Sequence, residues 1–109
     1  MPESLPDTAY VRISSGRFDP SELATVEAMN TKISAYLIPA IQRLPGLIHF
    51  YAGLSPEGQI VNVSVWDSGD HARQLDDLKE MAVDARRDAE AAGVTFLPPI
   101  VNYPITWNI

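Results

Sequence analysis

Alternating side-chain character marks Gln59–Trp66 as a strand. Two sets of residues alternate along it, the valines at 61, 63 and 65 and the polar set Asn62, Ser64 and Trp66. Because strand side chains point alternately to the two faces of a sheet, one face is aliphatic and the other carries an amide, a hydroxyl and an indole. Neither face carries a charge, so the pattern predicts a strand covered on both sides, with the polar row available to line a pocket.

The same periodicity predicts three further strands and two helices. The strands are Ala9–Ser15, Leu47–Leu54 and Ile100–Trp107, and the helices run from Asp19 to about Leu44 and from about Asp67 to Gly93. Apolar residues three and four apart give each helix an inward stripe, which in the second helix is Leu75, Leu78, Ala82, Ala85 and Ala89.

Prolines and glycines mark the boundaries of these elements. Asp19 and Pro20 suit the cap and the first position of helix one, while Pro39 predicts a kink or a break inside it. Gly58 closes a predicted turn between strands two and three, because glycine adopts positive φ without strain. Pro104 predicts an edge position or a bulge for the last strand.

The resulting order is β-α-β-β-α-β, which is typical of the ferredoxin-like α+β fold. In this fold a four-stranded antiparallel sheet carries both helices on one face. Residues 9–109 fit a single domain, preceded by a flexible lead-in over residues 1–8. Since strands two and three are apolar on both sides, the open face would expose a large aliphatic patch, and we expect a homodimer that covers it.

Composition narrows the class of partner. Fourteen acidic and eight basic residues give a net charge of −6, which argues against nucleic acid and anionic membranes. The absence of cysteine excludes disulfides and thiolate sites. No apolar run reaches the roughly 20 residues of a membrane span, and the N-terminus does not match a signal peptide. We therefore expect a cytoplasmic protein.

Three segments give the chain a family resemblance that covers residues 9 to 107. They are Asp19-Pro20-Ser21, Leu44-Pro45-Gly46-Leu47 and Val63-Ser64-Val65-Trp66-Asp67-Ser68. In these the chain resembles the antibiotic biosynthesis monooxygenase domain of the dimeric α/β-barrel superfamily. The resemblance implies a cavity between sheet and helices, and oxygenation of small aromatic or polyketide-like compounds without metal or flavin.

The resemblance also implies site residues. Asn62 and Trp66 match the polar pocket residues of the cofactor-free oxygenases, and an arginine of helix two, Arg86 or alternatively Arg73, matches a third. His71 is the counterpart of the histidine that binds iron in haem-degrading relatives. The chain departs from the family in having no tyrosine early in helix two, which leaves the proton-shuttling role unassigned.

The residues themselves add further candidates. His49 lies among apolar neighbours, and it is the predicted catalytic base because histidine is the residue type best suited to exchange protons near neutral pH. Ser64, Tyr51, Tyr36 and His71 are predicted to contact the substrate. Each candidate also has an ordinary structural explanation. The indole of Trp66 could anchor the core, His49 could be a hydrogen-bonded core residue, and Arg86 could lie on the solvated surface of its helix. Two histidines without a carboxylate–histidine pattern predict no metal site.

Three functions remain open from the sequence. The first is a cofactor-independent monooxygenase with Asn62, Trp66, His49 and Arg86 as its catalytic set. The second is a dimeric protein that binds a small hydrophobic or aromatic ligand without turnover. The third is a haem-binding or haem-degrading relative.

Overall fold

The computed structural model describes residues 5–77 and 79–107, and for 76–77, 79–83 and 98–99 it describes the backbone alone. The strands are β1 (Tyr10–Arg17), β2 (Leu47–Ser55), β3 (Gln59–Trp66) and β4 (Thr95–Pro104). A 3-10 turn (Pro20–Glu22) leads into α1 (Leu23–Gln42), and the second helical region comprises α2 (Gly69–Ala72), α3 (Gln74–Asp77) and α4 (Lys79–Ala91). This order confirms the predicted α+β ferredoxin-like class.

The sheet is antiparallel with the strand order β2-β3-β1-β4, so β1 and β3 are its central strands. β4 is an edge strand, the position that Pro104 predicted. It begins at Thr95 rather than Ile100, because an edge strand tolerates prolines that a central strand would exclude. Its register with β1 shifts between Ile13 and Ser15, opposite the Pro98-Pro99 step.

The first helix begins as its sequence indicates. Asp19 accepts a hydrogen bond from the backbone N–H of Ser21, and this bond lowers the pKa of Asp19 below its usual value. α1 then continues through Pro39 to Gln42, so the predicted break does not occur there.

The second helical region is not the single helix that the stripe predicted, because a turn at Arg73 separates α2 from α3. The guanidinium of Arg12 donates to the carbonyl of Ala72, an acceptor that an uninterrupted helix would give to the N–H of residue 76. Of the predicted stripe, Leu78 and the side chain of Ala82 lie outside the described residues.

The two faces of the sheet have different surroundings. The helix-facing side of β1 and β3 consists of Tyr10, Arg12, Ser14, Gly16, Ile60, Asn62, Ser64 and Trp66. Beneath α1 and α4 lies the apolar core, formed by Phe18, Val26, Met29, Ile60, Ala89 and Val94. The other side, which we call the open face, carries the valines of β3.

The open face is apolar and exposed in this chain. Its large side chains retain more than a third of their surface: Ile13 36%, Val61 37%, Leu97 40%, Tyr103 47% and Tyr51 59%. The cover predicted for both faces of β3 is therefore present on the helical side only. Among the described residues, no helix is long and apolar enough to cross a membrane.

Gly46, between α1 and β2, offers a test of this packing. It adopts φ +84°, and a Cβ there would overlap Nδ1 of His71 and Oδ1 of Asp67. Gly46→Ala should lower the free energy of unfolding by about 1–3 kcal/mol, measured by denaturant titration. Gly93→Ala is the matched control, because Gly93 has φ +102° but a Cβ there would meet none of the described residues within 4 Å. Equal losses of stability in the two variants would show that the overlap of the new Cβ with His71 and Asp67 adds nothing to the cost of the positive φ.

Candidate functional site

The polar row of β3, which alternation separates from the valines, lies under the helices. The indole Nε1–H of Trp66 donates to Oγ of Ser64 at 2.8 Å, and both side chains are buried. Trp66 is 0% exposed, so no space as large as a water molecule touches its ring. In this structure the indole is a core anchor whose N–H is committed to Ser64.

Asn62 is the accessible member of the row. It is half-buried, and its Nδ2 donates to Oγ of Ser14 at 3.5 Å, a long hydrogen bond. Across β2 its partner is the small, exposed Ala52. A side-chain amide has two N–H donors and an acceptor oxygen, so this one long bond leaves Asn62 with further hydrogen-bonding capacity.

A buried arginine lies beside this row, and the sequence pattern did not single it out. Arg12 is 6% exposed, pairs with Ser64 across β1–β3, and donates to the carbonyl of Ala72 at 3.4 Å and to Oδ1 of Asn102 at 3.3 Å. The sequence feature that could have identified Arg12 is its place between Tyr10 and Ser14 on the polar face of β1. Strand pairing then brings that set onto the face of Asn62.

His49 and Tyr51 lie on the opposite side of the sheet. They pair with Val65 and Val63, which belong to the open face, and their rings stack with centroids 5.8 Å apart. A sheet separates them from Asn62 within one chain, so the structure does not bring the predicted base to the predicted pocket.

Neither helix-two arginine reaches the polar row. Arg86 is 62% exposed, pairs with Glu90 at 3.4 Å, and lies 5.2 Å from the ring centroid of Phe96 on the edge strand β4. Arg73 is more than half exposed and pairs with Asp70 at 3.2 Å. Both fit the solvated-surface interpretation.

Tyr36 lines a shallow groove between α1 and α4. The groove has a volume of about 380 Å³ and is lined by Tyr36, Asp84, Arg87 and Asp88. The Tyr36 hydroxyl donates to Oδ2 of Asp88 at 3.0 Å. Burial, together with the hydrogen bond to Asp88 and its charge, raises the pKa of Tyr36 above the ordinary 10.0.

His71 forms a pair with Asp67 at the start of the second helical region. Its Nδ1 lies 2.5 Å from Oδ1 of Asp67, and Gln74 donates to its backbone carbonyl. A carboxylate on Nδ1 orients the imidazole and leaves Nε2 for another partner. No group of three potential metal ligands occurs within the described ranges 5–77 and 79–107.

Solved structures of the same fold include oxygenases. A monooxygenase from the gene ActVA-Orf6 of Streptomyces coelicolor, solved with the ligand nanaomycin D, has a TM-score of 0.71 and 19% identity, with 94% of this chain and 92% of that chain covered. SnoaB, a cofactor-independent oxygenase from Streptomyces nogalater, has a TM-score of 0.64 and 14% identity, covering 94% and 97%.

Proteins for which no oxygenase activity is named also have this fold. A conserved protein from Methanosarcina mazei has a TM-score of 0.65 and 11% identity, covering 89% of this chain and 92% of its own. No protein-family model and no curated protein sequence matches this chain. The resemblance to antibiotic biosynthesis monooxygenases is thus confirmed for the fold, and identities this low establish nothing finer.

Replacing Tyr36 by Phe tests how much the hydrogen bond from Tyr36 to Asp88 in this groove stabilises the fold. The raised pKa means that the folded state favours the neutral phenol, so its contribution to stability is present below pH 10 and is lost as the pH rises through the folded pKa. We expect Tyr36→Phe to cost about 1 kcal/mol at pH 8 and less in strong alkali, measured by denaturant titration. A loss of stability that does not shrink as the pH rises would contradict the hydrogen bond between Tyr36 and Asp88 as its source.

Proposed function

We propose that this chain is a homodimeric, cofactor-independent monooxygenase that acts on a small aromatic or polyketide-like compound between its sheet and helices. The observation that carries the proposal is the half-buried amide of Asn62, next to the buried Ser64, on the helix-facing side. Oxygenases of the same fold support it.

The proposed chemistry asks little of the protein. A substrate with an acidic C–H beside a hydroxyarene ionises and transfers an electron to O₂, and the two radicals combine into a peroxide. The peroxide loses water, so that a CH₂ group and O₂ become a C=O group and H₂O. The protein contributes binding, exclusion of water, and hydrogen bonds to the oxygen that carries the negative charge, which is the role of Asn62.

One observation favours a binding protein without turnover as the second candidate. The predicted base, His49, lies on the far side of the sheet from Asn62. A ligand bound beside Asn62 would then have to lose its proton without that base. The haem alternative stays a prediction, in which Nε2 of His71 would bind the iron while Asp67 holds Nδ1. A cytoplasmic location also stays a prediction.

We propose that a second copy of this chain covers the open face. The large exposed apolar side chains there are spread over all four strands, with Arg17 at the end of β1 as a charged neighbour, and a monomer rarely leaves such an apolar patch in water. A second copy presents the same apolar face, so the two are complementary in chemistry by symmetry. Nucleic acid and membranes are not proposed as partners, since the chain carries a net charge of −6.

O₂ uptake with a panel of anthrones and naphthoquinols tests the activity. Asn62→Ala should lower kcat/KM about 100-fold, because one donor to the developing oxyanion is removed. Gln59→Ala is the matched control, an exposed amide on the same strand. Ligand binding with no O₂ uptake on any member of the panel would favour the binding protein. If the Asn62→Ala variant is as active as the wild type, the assignment of Asn62 to the site is wrong.

Light scattering at micromolar concentration tests the dimer. The wild type should have twice the 12.0 kDa mass of one chain. Ile13→Glu places a charge in the middle of the open face and should give a folded monomer. Ile38→Glu is the control, because Ile38 is similarly exposed on α1 and should leave the dimer intact. A wild type with the mass of a single chain would end this proposal.

A further inference from the structure

We infer that the ring of the ligand lies on Ala52, in a notch between Phe50 and Leu54 on the helix-facing side of β2, and that Ala52 determines which ring systems reach Asn62. The inference rests on the proposed ligand site at Asn62, but not on oxygen chemistry. It adds an open apolar part to that site, which the amide by itself does not supply.

The notch belongs to the side of the sheet that carries the helices. Ala52 pairs with Asn62, and Leu54 pairs with Ile60, a member of the core beneath α1. Cross-strand partners point to the same face, so the side chain of Ala52 is a direct neighbour of the Asn62 amide. Phe50 and Leu54 are half-buried, whereas Ala52 between them is exposed. Solvent therefore reaches the floor of the notch.

An accessible apolar side chain of α1 lies on the same side of the molecule. Lys32 and Tyr36 of α1 contact Asp88 of α4, and α4 covers the β4 side of the sheet. The opposite flank of α1 carries Ser34 and Ile38 and faces β2, at the other end of the strand order. Ile38 is 47% exposed, so this flank offers apolar surface to a ligand above β2.

The dimensions of the notch suit a planar aromatic compound. Phe50 and Leu54 are four residues apart, which is about 13 Å along a strand, with Ala52 midway between them. The Cβ atoms of directly paired residues such as Ala52 and Asn62 are about 5 Å apart. A ring on the methyl group of Ala52 thus places an oxygen at its edge beside the amide. The ligand class is a fused aromatic compound with a hydroxyl or carbonyl oxygen at one edge.

Equilibrium dialysis with 1-naphthol and naphthalene tests the division of the site. The two probes share one ring system and differ in one oxygen. Ala52→Leu fills the space of the ring and should weaken the binding of both probes about 10-fold, with Ala52→Val intermediate. Asn62→Ala should weaken the binding of 1-naphthol alone. Ala28→Leu is the matched control, because Ala28 is an exposed alanine of α1, and it should bind both probes as the wild type does.

Two outcomes of the dialysis would overturn the inference. The first is equal binding of both probes by Ala52→Leu and the wild type. The second is the absence of measurable binding of either probe to the wild type. Both replacements at position 52 suit a strand at least as well as alanine does, and circular dichroism verifies that the variants are folded.

Nuclear Overhauser effects in the wild type locate the ring without any substitution. Protons of bound 1-naphthol should give cross-peaks to the methyl group of Ala52. Cross-peaks to the methyl groups of Val61 and Val63 instead would place the ring on the open face and overturn the inference.

The same two variants separate this inference from the proposed activity. Cross-peaks to Ala52 without O₂ uptake on the panel would sustain the notch and remove the monooxygenase proposal. O₂ uptake that is lost in Asn62→Ala but unchanged in Ala52→Leu would sustain the monooxygenase and overturn the notch.

Discussion

The constraint on which this molecule depends is the two-residue period of its central strand. β3 lies between β1 and β2, so both of its edges are paired, and each side chain points to one face of the sheet or the other. Asn62, Ser64 and Trp66 go under the helices, while the valines go to the open face. This alternation separates a polar row from an apolar surface by the thickness of one sheet.

Burying polar groups under the helices has a cost that the chain offsets with a connected set of contacts. Trp66 donates to Ser64, and Arg12 links β1 to the end of α2 and to Asn102 on β4. Within the described residues, no buried side-chain nitrogen or oxygen lacks a partner. Such a set holds the strands and α2 in one arrangement, so the accessible amide of Asn62 stands on a rigid support.

Local patterns determined what could be predicted. The bounds of β3 and the turn at Gly58, with φ +106°, match the structure because alternation and glycine chemistry are properties of adjacent residues. Which face belongs to the helices depends on pairing between distant strands, and for that reason the sequence alone could not place His49 opposite Asn62 or bring Arg12 beside it. At the split near Arg73 the carbonyl of Ala72 accepts a hydrogen bond from Arg12, which lies 60 residues earlier in the chain, and local periodicity contains no signal for such a contact.

β1 also has a consequence for how the chain folds. It pairs with β4 from Tyr10 to Pro104, and Ile105 donates to the carbonyl of Ala9, so the sheet joins segments that lie far apart in the chain, with Arg12 and Asn102 separated by 90 positions. On the ribosome the β2–β3 hairpin forms from local contacts, whereas β1 waits for a partner that emerges much later. Until β4 pairs with it, one edge of β1 presents unpaired backbone N–H and C=O groups, the kind of edge on which a second chain can add a strand.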